Sequence, residues 1–191
     1  MEFQMKIGVS ARHAHLDRHD MDILFGEGSE LTMKSPISQP GQYASNEQIL
    51  MVTPKGETKL RIIGPLRPHT QIELSLTDAM KAGLKAPIRQ SGDIEGSAGA
   101  KLIGPKGELQ LEKGIIIAAR HVHICPATAE KLGLKDGQWG DIVINSDRKV
   151  TLHDALLRIG PKHADEVHID TDEANAANIG NGATCTIIVK E

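Results

Sequence analysis

Short apolar runs set the pattern of this chain. QILMVT at 48–53, KLRIIG at 59–64, KLIG at 101–104, GIIIAA at 114–119, DIVIN at 141–145, VTLHDALLRI at 150–159 and TCTIIV at 184–189 are rich in β-branched residues. Gly, Pro, Asn or Asp bounds them, so they predict strands. PKGE occurs twice, at 54–57 and 105–108, each time between strand-like runs. It predicts a hairpin turn with glycine in the left-handed position. Helical patterns are short. Two end at glycine, DRHDMDILFG at 17–26 and PATAEKLG at 126–133. Two more lie in IELSLTDAMKAGL at 72–84 and VHIDTDEANAANI at 167–179. Short strands with a few short helices predict a mainly β fold of two small β-barrels with short α-helical caps. The helices are too short and too few for parallel βαβ units.

The pattern also repeats. VSARHAHL at 9–16 resembles IAARHVHI at 117–124, LRIIGPL at 60–66 resembles LRIGP at 157–161, and 72–84 resembles 167–179. The chain therefore reads as an imperfect internal duplication. The offset between copies falls from 108 residues at the first pair to about 96 at the later ones. The first copy must carry an insertion, and GEGSELTMKSPISQPGQY at 26–43 has the Gly, Ser and Pro content of an excursion.

Composition narrows the function classes. A chain of 191 residues has room for one large core or two small ones. The formal charge of −3 gives no basic field, and neither a Lys/Arg stripe nor RNP-like aromatics point to nucleic acid. No apolar run approaches a membrane span and no leader-like stretch is seen. Two cysteines, Cys125 and Cys185, make a disulfide framework unexpected and a cytoplasmic setting the default. Phe3, Phe25, Tyr43 and Trp139 are the whole aromatic complement, so the core must come from Ile, Leu, Val, Ala and Met. Nine histidines are more than such a core can use.

Four of those histidines form two Arg-His-x-His motifs, RHAH at 12–15 and RHVH at 120–123. On a strand, residues i and i+2 share a face. His13 with His15, and His121 with His123, can each aim two imidazoles at one ion, while Ala14 and Val122 pack on the other side. His-x-His on a strand commonly supplies two of the three protein ligands of an open zinc site. Glu73 and His168 hold equivalent places in the duplication and offer a third ligand each. The bland alternatives are an exposed strand carboxylate for Glu73 and a surface or capping role for His168. Two sites of three ligands each would leave positions open for an oxyanion or water. Other divalent ions suit the same donors. His19, His69, His153 and His163 have no repeated partner and read as surface or helix-face residues.

Arg67, in GPLRPHT, is presented by a proline-stiffened loop and can bind phosphate bidentately, though a solvated loop arginine fits as well. Arg12 and Arg120 are expected to be structural ion-pair partners facing away from the histidines. RQSGDIEGSAGAK at 89–101 has the composition of a connector. No P-loop, GxGxxG or GxSxG signature is present. Cys125 reads as a small helix-entry residue and Cys185 as a buried one.

Taken together, SARHAHL, RPHTQIELSLTDA, RQSGDIEGSAG, ARHVHICP and VHIDTDEANAA resemble the PduL-type phosphate acyltransferases, the phosphate propanoyltransferases or phosphotransacylases found with bacterial microcompartments. The resemblance runs along nearly the whole chain. It implies interconversion of a short-chain acyl-CoA (propanoyl-CoA or acetyl-CoA) plus phosphate with acyl phosphate plus CoA. It implies two β-barrels with non-sequential strand exchange: a central one from 11–118, with a small insertion near 26–45, and a second from 1–10 plus 119–191. It also implies two divalent ions, zinc by preference, one held by His13, His15 and Glu73 and one by His121, His123 and His168. Arg67 then becomes the phosphate-binding and catalytic arginine, and Ser91 and Arg89 become contacts for CoA. The implied partners are acyl-CoA and inorganic phosphate, with no nucleic acid and no membrane. Room is left for a homodimer and for a functional link to an acyl kinase. Members packaged in microcompartments often carry an N-terminal amphipathic extension. Here the first strand is expected near Met5, so encapsulation through such a peptide is not expected. Two rivals share the ligands: a metal-dependent hydrolase of a phosphoester or thioester, and a non-catalytic metal- or anion-binding module.

Overall fold

A computed structural model describes residues 1–190. The first copy of the duplication runs β1 (Glu2–Ser10), β2 (His13–His15), α1 (Arg18–Phe25), β3 (Met33–Pro36), β4 (Tyr43–Thr53), β5 (Gly56–Gly64), β6 (Gln71–Leu74), α2 (Leu76–Ala82), β7 (Ile88–Arg89) and β8 (Ala98–Ile103). The second runs β9 (Glu108–Ala118), β10 (His121–Ile124), α3 (Pro126–Leu132), β11 (Trp139–Ile144), β12 (Val150–Ile159), β13 (Glu166–Asp170), α4 (Thr171–Ala176) and β14 (Thr184–Val189). The helices stay short because the chain stops them. Asp17, Ser75 and Asp170 cap α1, α2 and α4 by accepting a backbone N–H three residues on, and Gly83 and Gly133 end α2 and α3 in the left-handed conformation.

The strands close two rings of six. The central barrel runs β4-β5-β2-β6-β9-β8 and back to β4, with β3 and β7 as added edges. The terminal barrel runs β1-β13-β10-β12-β11-β14 and back to β1. The two rings match strand for strand, directions included. β2–β5 and β10–β12 are parallel, as are β6–β9 and β1–β13, and the remaining pairs are antiparallel. The duplication is thus a duplication of topology, with one exchange. Each copy's first strand, β1 or β9, closes the barrel of the other copy. Contacts divide the chain into two compact units accordingly. One holds Met1–Ser10, Ser38–Pro40 and the chain from Ala119 onward; the other holds Ala11–Ile37 and Gly41–Ala118.

Each barrel has an aliphatic core. Leu16, Met21, Leu24, Met51, Ile62, Ile72, Leu102 and Ile115 pack in the central one, and Ile7, Val122, Ile124, Ile142, Leu157, Val167 and Ile187 in the terminal one. With so few aromatics, close interdigitation of branched side chains supplies the packing. Both PKGE segments form hairpins, β4–β5 and β8–β9, but only one glycine has the expected conformation. Gly56 has φ +129°, the positive-φ backbone that favours glycine, whereas Gly107 has no positive φ. Gly107 answers a close approach instead: a Cβ there would lie 2.5 Å from the Ile23 carbonyl oxygen. Among the described residues no helix is long and apolar enough to cross a membrane.

Candidate metal centres

β2 puts His13 and His15 on one face and buries Ala14 completely on the other. β6 runs antiparallel beside it with Glu73 directly opposite His13 and Gln71 opposite His15. The two Nε2 atoms lie 3.2 Å apart, and the Glu73 carboxylate oxygens lie 3.6 Å from His13 Nε2 and 3.9 Å from His15 Nε2. The opposite ring nitrogens decide the protonation. His13 Nδ1 lies 2.8 Å from the Ala11 carbonyl and His15 Nδ1 3.0 Å from that of Ile63. A carbonyl only accepts, so each Nδ1 carries a proton, and in the neutral ring the lone pair is then on Nε2, which faces inward. Burial, then the neighbouring His13, pushes the His15 pKa down to about 3, so that ring has no second proton near neutral pH. Two Nε2 atoms and a carboxylate oxygen converge within 4.8 Å of one another. A divalent cation satisfies that arrangement.

The terminal barrel builds the same figure on β10 and β13. His121 stands directly opposite His168, and Val122 is fully buried behind the pair. The His121 and His168 rings are stacked with centroids 5.0 Å apart, and His123 lies 4.6 Å from both. One donor atom from each ring falls within 4.8 Å of the others, as in the first cluster. His121 Nδ1 lies 3.0 Å from the Ala119 carbonyl, repeating the His13–Ala11 contact. Burial, then the neighbouring His121 and His168, pushes His123 down to about 2. His168 Nε2 is buried without a hydrogen-bond partner, although Glu166 Oε2 sits 3.0 Å away out of line. A buried, unsatisfied imidazole nitrogen is costly in an apolar core and ordinary in a metal site. Both donor sets fit a borderline cation such as zinc, and neither provides four protein ligands.

Comparison with known proteins assigns the scaffold. The family model described as phosphate propanoyltransferase matches residues 6–180. The chain belongs to that family. It is 47% identical over 184 residues to the phosphate propanoyltransferase of Thermotoga maritima, which covers 95% of this chain and 88% of that protein. It is 49% identical over 179 residues to that of Priestia megaterium, covering 93% of this chain and 82% of the relative. The Listeria monocytogenes enzyme aligns over all of this chain and 90% of its own length at 44% identity. Membership in the family makes the chain an acyltransferase of the phosphotransacylase kind.

Other residues singled out from the sequence fall as follows. Arg67 donates from its backbone N–H to the Leu16 carbonyl at 2.8 Å, which lays its loop beside the end of β2. Its side chain donates to Gln42 Oε1 at 3.1 Å, and its charge helps to lower the His15 pKa. Ser91 Oγ donates to Glu73 Oε1 at 3.2 Å, which brings the 89–101 segment to the first cluster. Arg89 ends β7, 3.7 Å from Asp93 and partly exposed. Arg12 pairs with Asp78, and Arg120 with Glu173 and the His153 carbonyl.

Of four further residues, sequence reasoning passed over three and misplaced His163. Gln71 donates to Glu73 Oε1 at 2.7 Å and to Ser91 Oγ at 2.9 Å, and accepts from the Gly92 N–H at 2.8 Å. Glu166 is its counterpart, opposite His123 as Gln71 is opposite His15. Both precede the third cluster residue by two, and that spacing was the available signal. His163, expected at the surface, instead stacks on His123 with centroids 4.0 Å apart, because its Nδ1 turns back to the Arg158 carbonyl at 2.8 Å. The fourth is Gln39, which has no counterpart in the second copy to mark it.

Proposed function

We propose that this chain is a phosphate acyltransferase that interconverts a short-chain acyl-CoA (propanoyl-CoA or acetyl-CoA) plus phosphate with acyl phosphate plus free CoA. In this reading His13, His15 and Glu73 hold one divalent cation and His121, His123 and His168 hold a second, zinc by preference. The observation that carries it is the convergence, in each barrel, of three potential ligand atoms, with the outer ring nitrogens of His13, His15 and His121 tied to backbone carbonyls. The reaction comes from the names of the relatives, all phosphate propanoyltransferases.

Bound at three protein ligands, each cation would supply Lewis acidity toward an oxyanion. The chain's own residues then do the rest. Arg67 binds phosphate bidentately and keeps its guanidinium where negative charge grows on the carbonyl oxygen. Gln71 and Ser91 hold the Glu73 carboxylate in register by two hydrogen bonds. Ser91 and Arg89 face CoA, at its thiol end and its phosphates. A phosphate oxygen attacks the thioester carbonyl carbon, the carbon–sulfur bond breaks, and CoA leaves as a thiolate. Thiols ionise near pH 8.5, so departure needs little proton assistance. Positioning of the two reactants takes the place of a covalent acyl-enzyme. The acyl phosphate product is a phosphoryl donor suited to an acyl kinase.

The test follows free thiol from propanoyl-CoA or acetyl-CoA. Thiol release must require phosphate, and arsenate must give net thioester loss because acyl arsenates hydrolyse. Release with neither anion would identify a hydrolase, and no turnover with any acyl-CoA would identify a binding module. Full activity after exhaustive metal chelation would overturn the metal reading. Metal content should fall from two ions to one in Glu73→Gln and again to one in His168→Ala.

A further inference from the structure

The two clusters solve one problem in different ways. An imidazole that offers Nε2 to a cation needs an acceptor at Nδ1 to hold its tautomer and its ring plane. In the central barrel the second histidine, His15, finds that acceptor in the Ile63 carbonyl of β5. β5 and β12 are equivalent strands, with Arg61 opposite His13 and Leu156 opposite His121. The counterpart of Ile63 is therefore Arg158. Its carbonyl is already taken, by His163 Nδ1 at 2.8 Å. His123 has lost the backbone acceptor that His15 keeps.

Gln39 fills the gap. It lies within the excursion of the first copy, yet Ser38–Pro40 packs as part of the terminal unit. Its side chain is 2% exposed. Its Oε1 is 2.9 Å from His123 Nδ1. The amide is held by two groups whose roles are fixed. The Ala164 N–H donates to Oε1 at 3.2 Å, and Nε2 donates to the Ala164 carbonyl at 3.2 Å. Reversing the amide would set N–H against N–H and oxygen against oxygen. Nε2 also lies 3.4 Å from Glu166 Oε2, which Ser38 Oγ holds from the other side. The oxygen of Gln39 is thus locked toward His123, and an oxygen there accepts a hydrogen bond from Nδ1–H.

We infer that Gln39 is a positioning residue: its side-chain carbonyl fixes His123 as the Nδ1–H tautomer and aims an unprotonated Nε2 at the cation site shared with His121 and His168. The inference rests on the reading of those three histidines as ligands. It gives the excursion a purpose, which is to carry an acceptor to a ligand whose own barrel has none free. The cost of losing such an outer partner is about 10–100-fold in metal affinity. It should fall on one site only.

Two readouts test this without reference to turnover. Long-range proton–nitrogen NMR of metal-free, histidine-labelled protein reports which nitrogen of His123 carries the proton. Cobalt titration of the same protein reports two sites separately. Wild-type protein should show the Nδ1–H tautomer and bind two cobalt ions. Gln39→Met, similar in size but without an acceptor, should populate the Nε2–H tautomer and weaken one site about 10–100-fold. The other site, built without Gln39, should be unchanged and also shows that the variant is folded. Gln39→Glu keeps an oxygen facing Nδ1 and should restore both the tautomer and the second ion. If Gln39→Met keeps the Nδ1–H tautomer, or binds both ions as tightly as wild type, the role of Gln39 is overturned. Wild-type protein that takes up no cobalt overturns the underlying metal reading, and the inference with it.

Discussion

Arg12 donates to the Asp78 carboxylate at 3.1 Å. Arg120 makes the matching contact with Glu173. Asp78 and Glu173 are each the third residue of the helix that follows the third cluster residue, and their backbone N–H groups are capped by Ser75 and Asp170. The arginine beside each histidine pair therefore pins the helix that starts three residues beyond Glu73 or His168. Two strands of each cluster are tied together outside the cluster itself.

Loss of the Arg12 contact should be mild. Arg12 is half exposed, and such pairs contribute about 0.2–1 kcal/mol. Arg120 also donates to the His153 carbonyl and is more buried, so Arg120→Ala should cost more, about 1–3 kcal/mol. Urea denaturation of the two variants measures the difference. Equal or reversed costs would count against this ranking.

Arg67→Ala should act on phosphate. Loss of a charge-assisted hydrogen bond is worth about 1.5–3 kcal/mol, or roughly 10–100-fold in kcat/KM for phosphate. The dependence on acyl-CoA concentration should change far less. A larger effect on the acyl-CoA KM than on that of phosphate would remove Arg67 from the phosphate site.

The pH dependence of metal-free protein has a defined sign. His15 and His123 are held near 3 and 2 in the folded chain, against about 6.5 in an unfolded one. Between those limits the unfolded state binds more protons, so stability rises with pH. It is complete above about pH 6.5 and is lost as pH falls toward 3, with a limiting slope of about 1.4 kcal/mol per pH unit for each histidine. Thermal melts of chelated protein from pH 7.5 to 4.5 should show Tm falling with acidity. A flat profile would contradict the buried, neutral assignment of both rings.

The two cysteines should differ in reactivity. Cys185 is 3% exposed, and burial pushes its thiol up to about 12. Cys125 is partly exposed at the N-cap of α3. A disulfide-exchange reagent at pH 8 should titrate one thiol in folded protein and two after unfolding. Rapid labelling of both in folded protein would show that the terminal barrel opens readily.

The sequence made the clusters legible because a strand has period two. His13 with His15, and His121 with His123, had to share faces, and the duplication matched Glu73 with His168 before any register was known. Seven strands, β4, β5, β8, β9, β11, β12 and β14, could be read because each lay in a short apolar run, whereas β3 (MKSP) carries no such signal. What stayed hidden depends on contacts that no local pattern encodes. Gln39 matters only because the Arg158 carbonyl is spent on His163, a fact about two loops far apart in the chain. Gly107 looked like turn chemistry and proved to be clearance for the Ile23 carbonyl. Ser91 lay in a segment with the composition of a linker, and its bond to Glu73 appears only when the chain folds back.

The exchange of first strands also governs how the chain can be made. β1 leaves the ribosome before the other strands, yet its partners β13 and β14 follow all the rest: Ile7 waits for Val167, and Met5 for Cys185. For most of translation β1 is an apolar strand with both edges open, the condition under which strands pair with the wrong neighbours. The central barrel can close as soon as β9 is complete, while the terminal one must await nearly the whole chain. Contacts so distant in sequence make for slow folding. A nascent chain that stalls after β9 would therefore present one finished barrel and one stranded, sticky β1.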